Sequence, residues 1–188
     1  MQISVSGYPG SGNSTIAKKL AKELGYKHYS AGDIRRKMAQ DRDITLAELN
    51  KIGETEDWTD VKVDKYIETL SKTEDNFVTD AKIGYQFLPK AFKIFLKADL
   101  EERAKRLKKD ARKEEQAKTL EEAKQKLLER QKSDRERYKK YYDLDFLSER
   151  AEKEEFDLVV DTTDKNIEEV FNICLEAVKK EKADNKNI

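Results

Sequence analysis

The chain has 188 residues, 41% charged and 37% hydrophobic, with 39 basic and 39 acidic side chains and a formal net charge of +0. That length fits one domain with a sizeable core, and the charge balance excludes a global basic field for nonspecific nucleic-acid binding. Cys174 is the only cysteine and no apolar run approaches about 18 residues, which excludes an internal disulfide and a spanning helix; with a strand pattern opening at once in place of a signal peptide, the expected compartment is a reducing cytoplasm.

The first element is a buried strand, Ile3-Ser4-Val5-Ser6, and a helical pattern follows over residues 15–24. Between them lies Gly7-Tyr8-Pro9-Gly10-Ser11-Gly12-Asn13-Ser14. This matches the phosphate-loop pattern G-x-x-x-x-G-K-[ST] everywhere except at Asn13, which stands in the place of the lysine. Glycines let backbone N–H groups turn inward, and the helix N-terminus adds partial positive charge. Ser14 is placed to put a hydroxyl on Mg²⁺ or to cap the helix, and both roles are compatible. Asn13 donates from a neutral amide and lacks the charge that a lysine carries to the β- and γ-phosphates.

Four further strand patterns follow at residues 27–29, 76–80, 92–96 and 157–161. Helical patterns alternate with them, which predicts an α/β fold with a five-stranded parallel sheet and right-handed crossovers. Residues 31–75 predict three or four helices, one opening at Thr45 with Glu48 completing a capping box. Residues 99–150 predict two charged helices around a weak break near 110–118, the second starting at Thr119 and continuing past Tyr141. Cys174 lies on an apolar helical face with Val170, Phe171 and Val178 and is expected in the core. The polar tail from Glu181 is expected to fray.

Four stretches carry a resemblance that covers roughly residues 1–180. They are the phosphate loop; Tyr29-Ser30-Ala31-Gly32-Asp33-Ile34-Arg35-Arg36; Asp80-Ala81-Lys82-Ile83-Gly84-Tyr85 with the following strand and Arg103 to Arg106; and Glu129-Arg130-Gln131-Lys132-Ser133-Asp134-Arg135-Glu136-Arg137-Tyr138. In order and spacing the chain resembles the cytidylate kinase group of nucleoside monophosphate kinases, in its compact form. The resemblance implies a single phosphate-loop kinase domain over residues 1–188 with three α/β/α layers. It also implies a helical monophosphate-binding insertion at about 31–75 and a helical lid at about 110–150.

The same resemblance implies the chemistry: ATP with Mg²⁺ as phosphoryl donor, CMP or dCMP as acceptor, and a monomer that binds neither nucleic acid nor membrane. Gly7, Pro9, Gly10, Ser11, Gly12, Asn13, Ser14 and Thr15 would cradle the donor phosphates, with Ser14 on the metal. Arg36 would clamp the acceptor phosphate in preference to its neighbour Arg35, and Arg130 and Arg137 would swing from the lid onto the transferred group. Lys82 falls where the group carries arginine, and Ala81 where it carries glycine. Asp80 either approaches the metal or the base, or simply ends its strand. Arg106 either stacks on the donor adenine or pairs with Glu102. Asp64, Lys65 and Asp80 are candidates for base selection, His28 is expected to be structural, and Tyr138, Tyr141 and Tyr142 to pack the lid against the sheet.

Three readings stand on these residues. One is an active cytidylate kinase, slowed by Asn13. Another is an adenylate or uridylate kinase of the same fold. The third is a nucleotide-binding protein with impaired catalysis, favoured by Asn13, Ala81 and Lys82 together.

Overall fold

Central strands buried on both faces organise the molecule. The computed structural model describes residues 1–109 and 117–184. Its strands are β1 (Gln2–Gly7), β2 (Lys27–Ser30), β3 (Phe77–Asp80), β4 (Phe92–Lys97) and β5 (Leu158–Asp161). All neighbours pair in parallel in the order β2-β3-β1-β4-β5. Successive side chains leave opposite faces of the sheet. Val78, Ile94 and Leu96 therefore join one core cluster, while Phe77 and Phe95 join clusters on the other face.

Helices α1 (Asn13–Leu24) and α9 (Ile167–Asp184) cover the first face, burying Ile16, Ala17, Leu20, Val170, Cys174 and Val178. Burial pushes the Cys174 thiol up to about 12, so it packs as a small apolar group. The opposite face carries α4 (Trp58–Thr73), the single turn α5 (Gly84–Phe87) and the C-terminal part of α7 (Leu120–Tyr142), through Ile67, Leu70, Tyr85 and Tyr138. The expected three-layer α/β/α arrangement is thus present.

Three helices fill the stretch between β2 and β3: α2 (Ala31–Gln40), α3 (Leu46–Thr55) and α4. Thr45 caps α3 in a complete capping box with Glu48. The two charged helices expected after β4 are α6 (Leu100–Lys109) and α7, with Thr119 as the N-cap of α7. Most of the expected break, residues 110–116, lies outside the described residues. Two short helices had no clear sequence signal, α5 and α8 (Glu149–Glu154). The tail corrects one expectation: α9 stays helical through Asp184, and the four residues beyond lie outside the description.

One glycine fixes the exit of β1. Gly7 has φ 148° and pairs with Leu96, and a Cβ there would sit 2.0 Å from the Leu96 carbonyl oxygen. The loop leaves the sheet only because that side chain is missing. Replacing Gly7 with Ala is expected to cost roughly 2–4 kcal/mol of stability, read as a lower urea midpoint at unchanged slope. A midpoint equal to that of the parent chain would contradict this account of the exit.

Candidate active site

Parallel pairing lines up the carboxyl ends of the strands. Val5 and Ser30 both pair with Asp80, Gly7 with Leu96, and Lys97 with Asp161. In a sheet with this reversal of winding direction, that edge is where ligands bind. The candidate residues lie along it.

The phosphate loop turns through Gly10 (φ 84°) and Gly12 (φ 97°), and Ser11 N–H donates to the Tyr8 carbonyl at 3.1 Å. Gly12 is the N-cap of α1 and supplies no side-chain cap, so the first N–H groups of α1 stay available to an anion. The Ser11 hydroxyl and the Asn13 Oδ1 are buried and have no partner. Asn13 folds back over the loop, its Nδ2 donating to the Tyr8 carbonyl at 3.3 Å. The cradle thus holds a full set of backbone donors and two orphaned polar atoms, and it fits a phosphate chain.

Behind the start of α1, the Ser14 hydroxyl donates to the Asp80 carboxylate. Asp80 is buried and also accepts from the Ser30 hydroxyl at 3.3 Å, with the His28 Nε2 at 2.9 Å from its other oxygen. His28, expected to be only structural, therefore sits against a candidate site carboxylate. The pairing of β2 with β3 makes this contact between residues 52 positions apart, beyond reach of any local spacing. Among the described residues no group of three or more His, Cys, Asp or Glu could hold a metal alone. Ser14 and Asp80 still fit Mg²⁺, which retains waters and uses substrate phosphates as ligands.

A second group forms an ionic chain. Arg35 donates to Asp60 at 2.7 Å and to the Thr59 carbonyl at 3.1 Å, and its Nη2 to Asn50 at 3.0 Å. Arg137 donates to the other Asp60 oxygen at 2.5 Å and to Asp134 at 2.6 Å. Asp134 in turn accepts from Lys82. Charges alternate along this line, and it joins α2, α4, α7 and the turn after β3. Burial alone would lower the basicity of Arg137, but Asp134 and Asp60 outweigh it and raise it. Burial likewise works to raise Asp134, yet Lys82 and Arg137 hold its carboxyl below the usual range. Lys82 is brought down to about 8, chiefly by burial, with Asp134 pulling the other way.

The arginines singled out in the sequence lie in different surroundings. Arg35, not Arg36, enters the ionic chain; Arg36 folds onto Asp33 of its own helix with about a third of its side chain exposed. Arg137 is 4% exposed and bonded to two carboxylates. Pulling it away would cost each carboxylate one of its two cationic partners, since Asp60 keeps Arg35 and Asp134 keeps Lys82. Arg130, seven residues earlier on the same side of α7, is exposed, and its charge acts on both Lys82 and Asp134.

At the other rim lies Arg106, for which the pairing alternative is present. It pairs with Glu102 at 3.1 Å, and it also donates to the Thr162 carbonyl at 2.6 Å and hydroxyl at 2.8 Å, beside the Ser11 carbonyl. Thr15 is exposed. Of the base-selection candidates, Lys65 is exposed, whereas Asp64 is buried and accepts a 2.5 Å bond from the Tyr142 hydroxyl. Tyr138 and Tyr142 pack in the core beneath the lid as expected. Tyr141 instead reaches α3, donating to the Gly53 carbonyl at 2.9 Å.

Asp64 yields a pH prediction. Burial, aided by Asp60, pushes its carboxyl up to about 7, although the Tyr142 hydroxyl opposes this. A carboxyl raised in the folded state keeps its proton where the unfolded chain has lost it, so it stabilises at low pH and that stability falls as pH rises toward 7. Between pH 5 and 7 the parent chain should lose roughly 2 kcal/mol more than an Asp64→Asn variant, measured as the difference in melting curves. Parallel pH profiles would contradict it.

With this geometry in place, comparison with known proteins gives one family. The cytidylate kinase-like family matches residues 2–164. The chain is 36% identical over 180 residues to a cytidylate kinase of Halobacterium salinarum, covering 95% of this chain and 89% of that one. It is 31% identical over 182 residues to a cytidylate kinase of Methanosphaera stadtmanae, covering 97% and 100%. In fold it is similar to an uncharacterized protein from Eubacterium ventriosum (TM-score 0.69, 16% identity, covering 95% and 98%). It is also similar to shikimate kinase from Aquifex aeolicus (TM-score 0.58, 19% identity, covering 95% and 96%). Among the described residues no helix is long and apolar enough to cross a membrane. The phosphate loop, the parallel sheet that presents it and the match along most of the chain agree: this protein belongs to the cytidylate kinase-like family.

Proposed function

We propose that this chain transfers the γ-phosphoryl group of ATP to CMP or dCMP, giving ADP and CDP or dCDP. As a nucleoside monophosphate kinase it needs no nucleophilic side chain, because the attacking atom is a phosphate oxygen of the acceptor. The carrying observation is the juxtaposition at one sheet edge of the glycine loop with its free helix N-terminus, the Ser14–Asp80 pair and the cations Lys82 and Arg137. Relatives named cytidylate kinase supply the acceptor class.

In this reading the backbone of residues 7–15 holds the donor phosphates. Ser14 and Asp80 would hold Mg²⁺, whose charge would offset that of the donor phosphates. Arg106 braces the donor-base side against Thr162. The helical segment 31–75 is the acceptor-binding insertion, with Arg36 at its mouth and Arg35 tied inward through Asp60. The lid spans about 110–150. Arg130 is its moving cation, while Arg137 is the fixed anchor that keeps Asp134 on Lys82. Catalysis then consists of positioning and of cations placed where negative charge spreads. Asn13 weakens it, since an amide folded onto Tyr8 adds no charge.

The protein is expected to work as a monomer in the cytoplasm, bound to neither nucleic acid nor membrane. Supplied with ATP, Mg²⁺ and single monophosphates, the purified protein should form ADP fastest with CMP or dCMP. Faster turnover of AMP or UMP would overturn the acceptor assignment, and nucleotide binding without turnover would overturn the enzymatic one. Replacing Asn13 with Lys is expected to raise turnover by roughly 10-fold with little change in the KM for the monophosphate. An unchanged or lower rate would mean that the loop is built around asparagine.

A further inference from the structure

The two buried arginines among the described residues have opposite surroundings. Arg137 is bonded to two carboxylates. Arg103, 6% exposed, has none within ion-pair distance among the described residues. Its Nε donates to the Ala98 carbonyl at 2.9 Å, and its Nη1 to the Pro9 carbonyl at 3.3 Å and to Gln131 Oε1 at 3.4 Å. The guanidinium lies 5.0 Å from the centre of the Tyr8 ring. Asp99 and Tyr8 act on it only through their longer-range fields. A buried cation held by neutral acceptors is costly, and it is far less so once an anion arrives beside it.

The place of this cation is informative. Tyr8 and Pro9 belong to the phosphate loop, whose lysine position is filled by the neutral Asn13. Gly10 lies directly on α6: a Cβ at Gly10 would meet the Arg103 Cβ at 3.1 Å and its carbonyl oxygen at 3.2 Å. The missing side chain lets the loop rest on the helix turn that carries Arg103. Gln131, adjacent to Arg130, ties the same guanidinium to the lid helix.

We propose that Arg103 is a positioning residue for the donor phosphates: it fixes the loop through the Pro9 carbonyl and supplies, from behind, positive charge that residue 13 does not. The charge acts through a dry, packed layer, where its field is screened little. The inference deepens the proposed kinase reading and rests on it for the identity of the anion.

A double-mutant cycle separates charge supply from mere packing. Binding of a non-hydrolysable ATP analogue with Mg²⁺ is measured by calorimetry for the parent chain, Arg103→Gln, Asn13→Lys and the double variant. Arg103→Gln should weaken binding roughly 10-fold in the parent and no more than about 3-fold beside Asn13→Lys, while Arg103→Lys stays within about 3-fold of the parent. Equal losses in the two backgrounds, or Arg103→Lys as damaging as Arg103→Gln, would overturn the proposal. If Arg103→Gln does not fold, Arg103→Lys in both backgrounds decides: retained affinity supports the charge role, and a 10-fold loss in both removes it. Turnover with CMP tests the kinase reading separately. Turnover with equal losses removes the role of Arg103 alone, and no turnover with coupled losses removes the kinase reading alone. No binding by the parent chain overturns both.

Discussion

Everything at this site depends on the register of the three central strands. Parallel pairing of β1 with β3 and β4 brings Gly7, Asp80 and Leu96 to one edge, and β2 delivers Ser30 and His28 to the same carboxylate. A slip of one residue would reverse every side chain across the sheet. The register is fixed by burial on both faces: Ile3 and Val5 face one layer and Phe77 and Phe95 the other, all fully buried. The glycine loop then begins where Gly7 leaves room for the Leu96 carbonyl.

The charged groups differ in how far they pair with one another. The line Arg35–Asp60–Arg137–Asp134–Lys82 pairs every charge in it and ties four segments of the chain together. Such chains stabilise little in net terms, but removing one member is costly, so they specify one arrangement of helices. Around the phosphate loop the balance is different. Backbone donors of α1 are uncapped, the Ser11 hydroxyl and Asn13 Oδ1 lack partners, and Arg103 is held by neutral oxygens. Among the described residues the ionic chain leaves only Arg137 Nε and the neighbouring Thr59 hydroxyl without a partner, and every charge in it is paired, whereas Arg103 beside the loop has no carboxylate partner.

The order of strands and helices was legible in the chain because apolar runs such as Phe92-Lys93-Ile94-Phe95-Leu96 lie between long helical patterns. The phosphate loop and the Thr45–Glu48 capping box were legible because they are contiguous motifs. What a single sequence hides is which of two adjacent charges turns inward. Arg35 and Arg36 are indistinguishable by spacing, and only the packing of α2 against α3 and α4, through Asn50 and Asp60, selects Arg35. Spacing placed Arg130 and Arg137 on one face of α7, yet the entry of Asp60 from α4 buries one and leaves the other exposed. His28 and Arg103 were passed over for the same reason, since their partners Asp80 and Pro9 are 52 and 94 positions away.

The central claim is that residues 7–14 close around the anionic tail of a nucleoside triphosphate. Amide hydrogen exchange of the segment spanning the loop and the first turn of α1, with and without a non-hydrolysable ATP analogue and Mg²⁺, addresses it directly. Slower exchange of those amides on addition of the nucleotide is the predicted result. Unchanged exchange there, with protection elsewhere in the chain, would contradict it.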